Sequence, residues 1–303
     1  MLYSLGMFVT LMDDCNLDCK FCKFPKRNEF RNGKMLDSGK FAEMLHQLKE
    51  QPPQIPLGAV CFCGSGEPLL YPHLIEIVEE TKKYVPYVSI VTNGILLTEQ
   101  ICTGLLQADV NHVVISVTGM EEDVYKKFQG SGSKTADVGR QLQLVKENVI
   151  RMTELRDCLH ANTQIGISYI LNHESKADYF KALQYWNEIG VNYVDTRILS
   201  KGFKQNTEDF STYIKNNQRW WGDGNLCTCF GKVMNVFTDG RIGYCNCAYK
   251  EETILGSLYD SSLKEIIDSD KFQNLLRSFT EDYESVPELC KTCDLLKARP
   301  ILA

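Results

Sequence analysis

Hydrophobic and polar positions follow two rhythms over the first two hundred residues. Six short runs are rich in β-branched and aromatic residues: 7–12 (MFVTLM), 58–62 (GAVCF), Tyr87–Thr92 (YVSIVT), His112–Val117 (HVVISV), Gln164–Leu171 (QIGISYIL) and 192–199 (NYVDTRIL). The first, fourth and last are nearly continuously apolar or β-rich, as expected of strands covered by helices. Between them the period changes. Val138, Leu142, Val145, Val149 and Met152 recur at spacings of four, three, four and three, the stripe of an amphipathic helix. Leu74, Ile77 and Val78 begin a shorter helix that ends before Pro86, and 177–189 forms a third. Strand and helix in alternation give parallel strands joined by right-handed crossovers. Six such units fill the region, whereas a complete eight-unit barrel takes about 250 residues. The expectation is an α/β fold with a partial (β/α)6, TIM-like barrel over residues 1–205.

The rhythm then stops. Residues 201–225 are polar (KGFKQNTEDFSTYIKNNQRWWGDGN), and 206–225 reads as a linker with a short helix. From 226 to 303 a small α+β unit is expected. VMNVF and RIGY flank an Asp239-Gly240 turn, a hairpin signal. An amphipathic helix follows over 263–279, and then a CxxC at Cys290 and Cys293. There is no other internal repeat and no low-complexity segment.

Composition is ordinary for a globular chain of 303 residues, at 44% hydrophobic and 24% charged. No apolar run approaches the roughly 18 residues of a membrane helix. The N-terminus lacks a basic region or a cleavage-like site. A cytoplasmic protein is therefore expected, in a compartment where disulfides are rare. The net charge of -6 argues against nucleic acid as a partner and suits a cationic small molecule. What changes the picture is the cysteine content. Thirteen is an odd number, and the cysteines cluster, which reads as metal ligation rather than a disulfide framework.

The tightest cluster is Cys15-Asn16-Leu17-Asp18-Cys19-Lys20-Phe21-Cys22, just behind the first predicted strand. Barrels carry their active sites on the loops at the C-terminal ends of strands. Three thiolates are one short of the four that a structural zinc or a closed cubane requires. One position is thus left for an exchangeable ligand. Further landmarks stand behind later strands: Gly64-Ser65-Gly66-Glu67-Pro68, Thr92-Asn93-Gly94, Ser116, and Ser168 within Gly166-Ile167-Ser168. Asp195 and Arg197 are two apart on the sixth strand and so share a face.

In this order, these motifs resemble the radical S-adenosylmethionine (SAM) superfamily. The resemblance implies that Cys15, Cys19 and Cys22 hold a 4Fe–4S cluster whose open iron takes the amino and carboxylate groups of SAM. One electron, from a donor such as flavodoxin or ferredoxin, then yields a 5′-deoxyadenosyl radical that abstracts hydrogen from substrate. It further implies Phe21 against the adenine and Ser65, Gly66 and Glu67 about the SAM amino group, Ser65 standing where the family has glycine. Thr92, Asn93, Ser116 and Ser168 would face SAM. Arg197 would hold its carboxylate, and Asp195 would hold substrate.

The tail, Cys227-Thr-Cys229 through Cys245-Asn-Cys247 to Cys290-Lys-Thr-Cys293, resembles the twitch domain, the shortened form of the SPASM extension. Full SPASM tails carry more cysteines, and only ten residues follow Cys293 here. One auxiliary 4Fe–4S cluster is therefore expected, on Cys227, Cys245, Cys290 and Cys293. Cys229 and Cys247 are the alternatives within each pair, and a structural zinc is the alternative metal. If Cys247 is no ligand, its weak S–H bond suits it to return a hydrogen atom to a substrate radical. Cys61, Cys63, Cys102 and Cys158 read as core positions. With few residues before the first strand, a leader-gripping module is not expected, which favours a small-molecule substrate. The layout is similar to radical SAM epimerases and dehydrogenases of aminoglycoside biosynthesis, neomycin-type and butirosin-type. Epimerisation of a sugar-like substrate is the leading expectation. Oxidation to a ketone and peptide epimerisation follow. An electron-transfer protein would have no need of the SAM-binding turns.

Overall fold

The computed structural model describes residues 4–19, 22, 32–129, 138–171, 175, 178–198, 233–245, 251–282 and 285–291. The six expected strands are present: β1 (Leu5–Val9), β2 (Leu57–Phe62), β3 (Tyr87–Thr92), β4 (His112–Val117), β5 (Gln164–Leu171) and β6 (Tyr193–Ile198). All neighbours are parallel, in the order β6-β5-β4-β3-β2-β1. The first strand starts earlier than the apolar run suggested and ends at Val9. Residues 10–12 leave the sheet, and Met12 makes an isolated bridge to Met35.

Six helices complete the crossovers: α1 (Ser38–Glu50), α2 (Leu74–Lys82), α3 (Glu99–Gln107), α4 (Glu122–Phe128), α5 (Val138–Cys158) and α6 (Tyr179–Ile189). Their ends are set locally. Asp37 accepts from Lys40 N at 3.0 Å to start α1, and Thr98 accepts from Ile101 N at 3.3 Å to start α3. Gly190 ends α6 with φ 89, a left-handed cap that glycine adopts without strain. Strand residues alternate. Val60, Phe62, Ile90, Val113 and Ile165 are fully buried, as are Phe41, Val78, Leu105, Val149 and Trp186 from the helices. Burying each such side chain contributes about 1.5–3 kcal/mol. The other strand face is left to line the barrel interior.

The C-terminal segment joins this sheet. β7 (Val233–Val236) pairs parallel with β1, β8 (Arg241–Gly243) runs antiparallel to β7, and β9 (Ile254–Ser257) completes a nine-stranded sheet. The Asp239-Gly240 hairpin is as expected. The single helix expected over 263–279 is two, α7 (Leu263–Asp268) and α8 (Asp270–Thr280). Ser269 divides them, because its side chain accepts from Phe272 N at 3.2 Å and caps the second helix. A capping box of Ser262 and Glu265 starts the first. A short α9 (Glu288–Lys291) brings Cys290 into a second small core with Tyr244, Phe279 and Val286. The expected linker, 206–225, lies outside the described residues. Among the described residues, no helix is long and apolar enough to cross a membrane.

Candidate active site

The inward faces of the strands line an open cavity of about 590 Å³, with Cys15, Cys19 and Cys22 at its C-terminal rim. The cysteine loop is held from both sides. Leu17 is buried as a plug, and its backbone N donates to Cys15 Sγ at 3.4 Å. Cys22 N donates to Cys19 O at 3.0 Å. From the turn after β3, Asn93 Nδ2 donates to Asn16 Oδ1 at 2.7 Å. The next loop comes close enough that a Cβ on Gly66 would lie 2.2 Å from Met12 O and 2.4 Å from Asp14 O. Only glycine admits that approach, and it lets Glu67 N donate to Asp14 O at 2.8 Å.

Glu67 binds the loops together. Its Oε1 accepts from Thr92 Oγ1 at 2.6 Å and Leu69 N at 3.1 Å, and its Oε2 accepts from Asn93 N at 2.9 Å. Burial pushes its carboxyl up to about 7, although these three donors pull the other way. Glu67, Thr92 and Asn93, expected at SAM, form one buried clasp beside the cysteine loop.

Ser65, Gly66, Glu67, Thr92, Asn93 and Ser116 all line the cavity. Ser168 is buried, in register with Ser116 on one side and Asp195 on the other. Asp195 is exposed at the open edge formed by β6. Arg197 stands in register with Ile170, a lining residue. Phe21, Cys227, Cys229, Cys247 and Cys293 lie outside the described residues. Cys245 is half-buried and Cys290 buried. Both lie against Tyr244, whose phenol pKa is raised first by burial and then by these two thiols. That places the two described tail cysteines in one environment.

Two expectations about cysteines are corrected. Cys61 and Cys63 are not core residues. They are half-buried and face the cavity, because β2 turns the parity of Ala59, Cys61 and Cys63 inward. Cys158, at the end of α5, is exposed, whereas Cys102 is buried as expected. The sequence reading also passed over several cavity residues. His112 Nε2 is hydrogen-bonded to the Tyr193 hydroxyl, and its Nδ1 lies 3.3 Å from the Tyr87 hydroxyl. Asn235 reaches the cavity from β7. His112 shares strand parity with Ser116, and that parity is the signal in the sequence that places it on the same face. Gly166 makes the Tyr193 contact sterically feasible, since a Cβ there would lie 2.2 Å from Tyr193 Cζ.

The residues present fit an iron–sulfur cluster with SAM. Three thiols line one end of a cavity large enough for a nucleoside. Tyr125 is fully buried, and its hydroxyl has no hydrogen-bond partner among the described residues. Burial first, then the thiols of Cys19 and Cys15, raise its pKa. A phenol buried beside these thiols would be a donor to the sulfur of a cluster held there. Each cubane thiolate holds its own iron. Among the described residues, no group of three His, Cys, Asp or Glu side chains closes on one ion.

Comparison with known proteins agrees with this geometry. Residues 9–156 match the radical SAM superfamily model, and residues 227–294 match SPASM, an iron–sulfur cluster-binding domain. A PqqA peptide cyclase from Gluconobacter oxydans (strain 621H) is 22% identical over 96% of this chain and 82% of its own. Among solved structures, Streptococcus suis SuiB bound to precursor peptide SuiA superposes with a TM-score of 0.69 at 16% identity, covering 98% of this chain and 71% of SuiB. BtrN in complex with AdoMet and 2-DOIA gives 0.61 at 18% identity, covering 97% and 93%.

Proposed function

Since this chain belongs to the radical SAM superfamily and carries a SPASM-type iron–sulfur domain, we propose that it removes hydrogen from a carbon of a small hydroxylated or aminated substrate and epimerises that carbon. When bound, the cluster and SAM supply the 5′-deoxyadenosyl radical; an auxiliary cluster occupies the C-terminal domain. The chain's own residues hold, shield and complete the reaction. Cys15, Cys19 and Cys22 hold the cluster, while the Glu67 clasp keeps the SAM-facing turns in place. Asp195, at the level of Ser116 and Ser168, receives a substrate amine or hydroxyl.

The observation carrying this reading is a cavity lined at one end by the three thiols and walled chiefly by neutral side chains. Such a space suits a ring-sized substrate. Cys247 is the proposed hydrogen donor: S–H adds H to the substrate radical, and one electron from a flavodoxin- or ferredoxin-type donor with one proton restores the thiol. Cys61 and Cys63 are the next candidates, because their thiols face the cavity.

Two observations favour other readings. The Tyr193–His112–Tyr87 chain can take a proton, which suits oxidation. The Gluconobacter oxydans relative, which spans most of this chain, is named for a peptide. One experiment separates the three. The reconstituted enzyme is incubated anaerobically in deuterated water with SAM, reductant, and aminated cyclitols or candidate peptides. Solvent deuterium at one carbon of a cyclitol supports epimerisation, and a two-dalton mass loss indicates oxidation. Turnover of peptides alone overturns the small-substrate reading.

A further inference from the structure

Asn235 lies within β7 and reaches the cavity wall in register with Phe8. It is 6% exposed, and its amide nitrogen Nδ2 has no acceptor among the described residues. A buried donor without a partner costs about 1–3 kcal/mol. Such a cost is tolerated where a ligand supplies the acceptor. The register from Asn235 runs through Phe8, Cys61 and Ser89 to His112, so one level of the wall carries all five. Asn235 therefore stands at one end of this level and His112 at the other.

His112 is held between two phenols. Burial lowers its pKa, which keeps the ring neutral near pH 7. A neutral imidazole has one donor and one acceptor nitrogen. One phenol therefore donates to it and the other accepts from it, and the chain can reverse polarity to suit what it meets. Among the described residues lining the cavity, Glu67 alone has a carboxylate and none is Lys or Arg; Glu67 belongs to the outer rim, and His112 is the one titratable base. The inner end is polar without being charged.

We propose that this inner end, between Asn235 and the Tyr193–His112–Tyr87 group, is the substrate subsite for an uncharged oxygen-bearing group, a ring hydroxyl or a carbonyl. It rests on the small-substrate reading above and adds which part of the substrate points inward. The amine, where there is one, is left to Asp195 at the open edge.

The test uses the cluster- and SAM-loaded enzyme with scyllo-inositol and its monoamino analogue scyllo-inosamine as probes. Binding is followed by saturation-transfer NMR and unfolding by calorimetry. Asn235→Leu keeps the volume and removes the unpaired amide. Its Tm should equal or exceed that of wild type, while probe affinity falls at least tenfold. Asn235→Asp, which replaces the donor by an acceptor, should lose affinity similarly, as should His112→Phe. A lower Tm for Asn235→Leu would show the amide to be structural and overturn the proposal. So would unchanged probe affinity in the variants, or no probe binding to wild type. Turnover is read separately. A probe that binds through Asn235 but is not altered supports the subsite and counts against the epimerisation reading alone.

Discussion

The cysteines and the Glu67 clasp act residue by residue. Replacing Cys15, Cys19 and Cys22 together by Ala should abolish 5′-deoxyadenosine formation, because under the proposed assignment these thiolates hold the cluster that cleaves SAM. The auxiliary cluster should remain, so iron should fall from about eight to about four per chain, one cubane of two. Iron analysis and chromatography of the SAM products check both. Glu67 makes a pH prediction. Its folded pKa of about 7 is above the ordinary 4.5, so between these values the folded state keeps a proton that the unfolded chain has released. Its contribution to stability is full below pH 4.5 and is lost as pH rises to 7. At 1.36 kcal/mol per unit, the change is about 3 kcal/mol. Denaturation of the SAM-free protein from pH 4.5 to 7 should show this decline, and Glu67→Gln should flatten it. An unchanged slope in the variant would assign the decline to other groups.

At the scale of elements, the geometry depends on a few junctions. The Tyr193 ring crosses the space where Gly166 has no side chain. Gly166→Val should displace the ring from His112 and cost about 1–3 kcal/mol through overpacking. Tyr193→Phe should cost less, since it removes only the hydroxyl, and chemical denaturation compares the two. Ser269 is a different junction. As the cap that separates α7 from α8, its replacement by Ala should lower stability by about 1 kcal/mol. It lies in the outer helices, so SAM cleavage should be unaffected. A loss of cleavage would mean that these helices couple to the active site.

For the whole molecule, the decisive feature is the shared sheet. β7 hydrogen-bonds to β1, and β1 leads directly into the loop that carries Cys15, Cys19 and Cys22. The C-terminal domain is thereby tied to the strand behind Cys15, and Asn235 becomes part of the cavity. Met234→Pro would remove a backbone donor from a strand paired on both sides. Limited proteolysis should then release the C-terminal segment, with loss of about four irons per chain, one cubane. Retention of all the iron would show that the auxiliary cluster does not need this pairing.

Much of this was legible in the chain itself, because the signals are local. Cysteine spacing, strand and helix periods and the Asp239-Gly240 turn lie within a few residues of one another, and covalent geometry makes each one readable. They sufficed for the six strands, the place of the cysteine loop behind β1 and the turns behind β2 and β3. What they could not assign was facing and company. Cys61 and Cys63 look like core residues in a short β-rich run, and a one-residue shift of parity would have made them so. Ser269 divides a helix because a cap formed where hydrophobic period alone predicts continuation. Asn235 and His112 belong to strands far apart in sequence, and only the register of five paired strands puts them on one level. That register is set by burying the outer face against the helices. Tertiary packing therefore decided which side chains the cavity received, while the local sequence decided that a loop of three cysteines would stand at its rim.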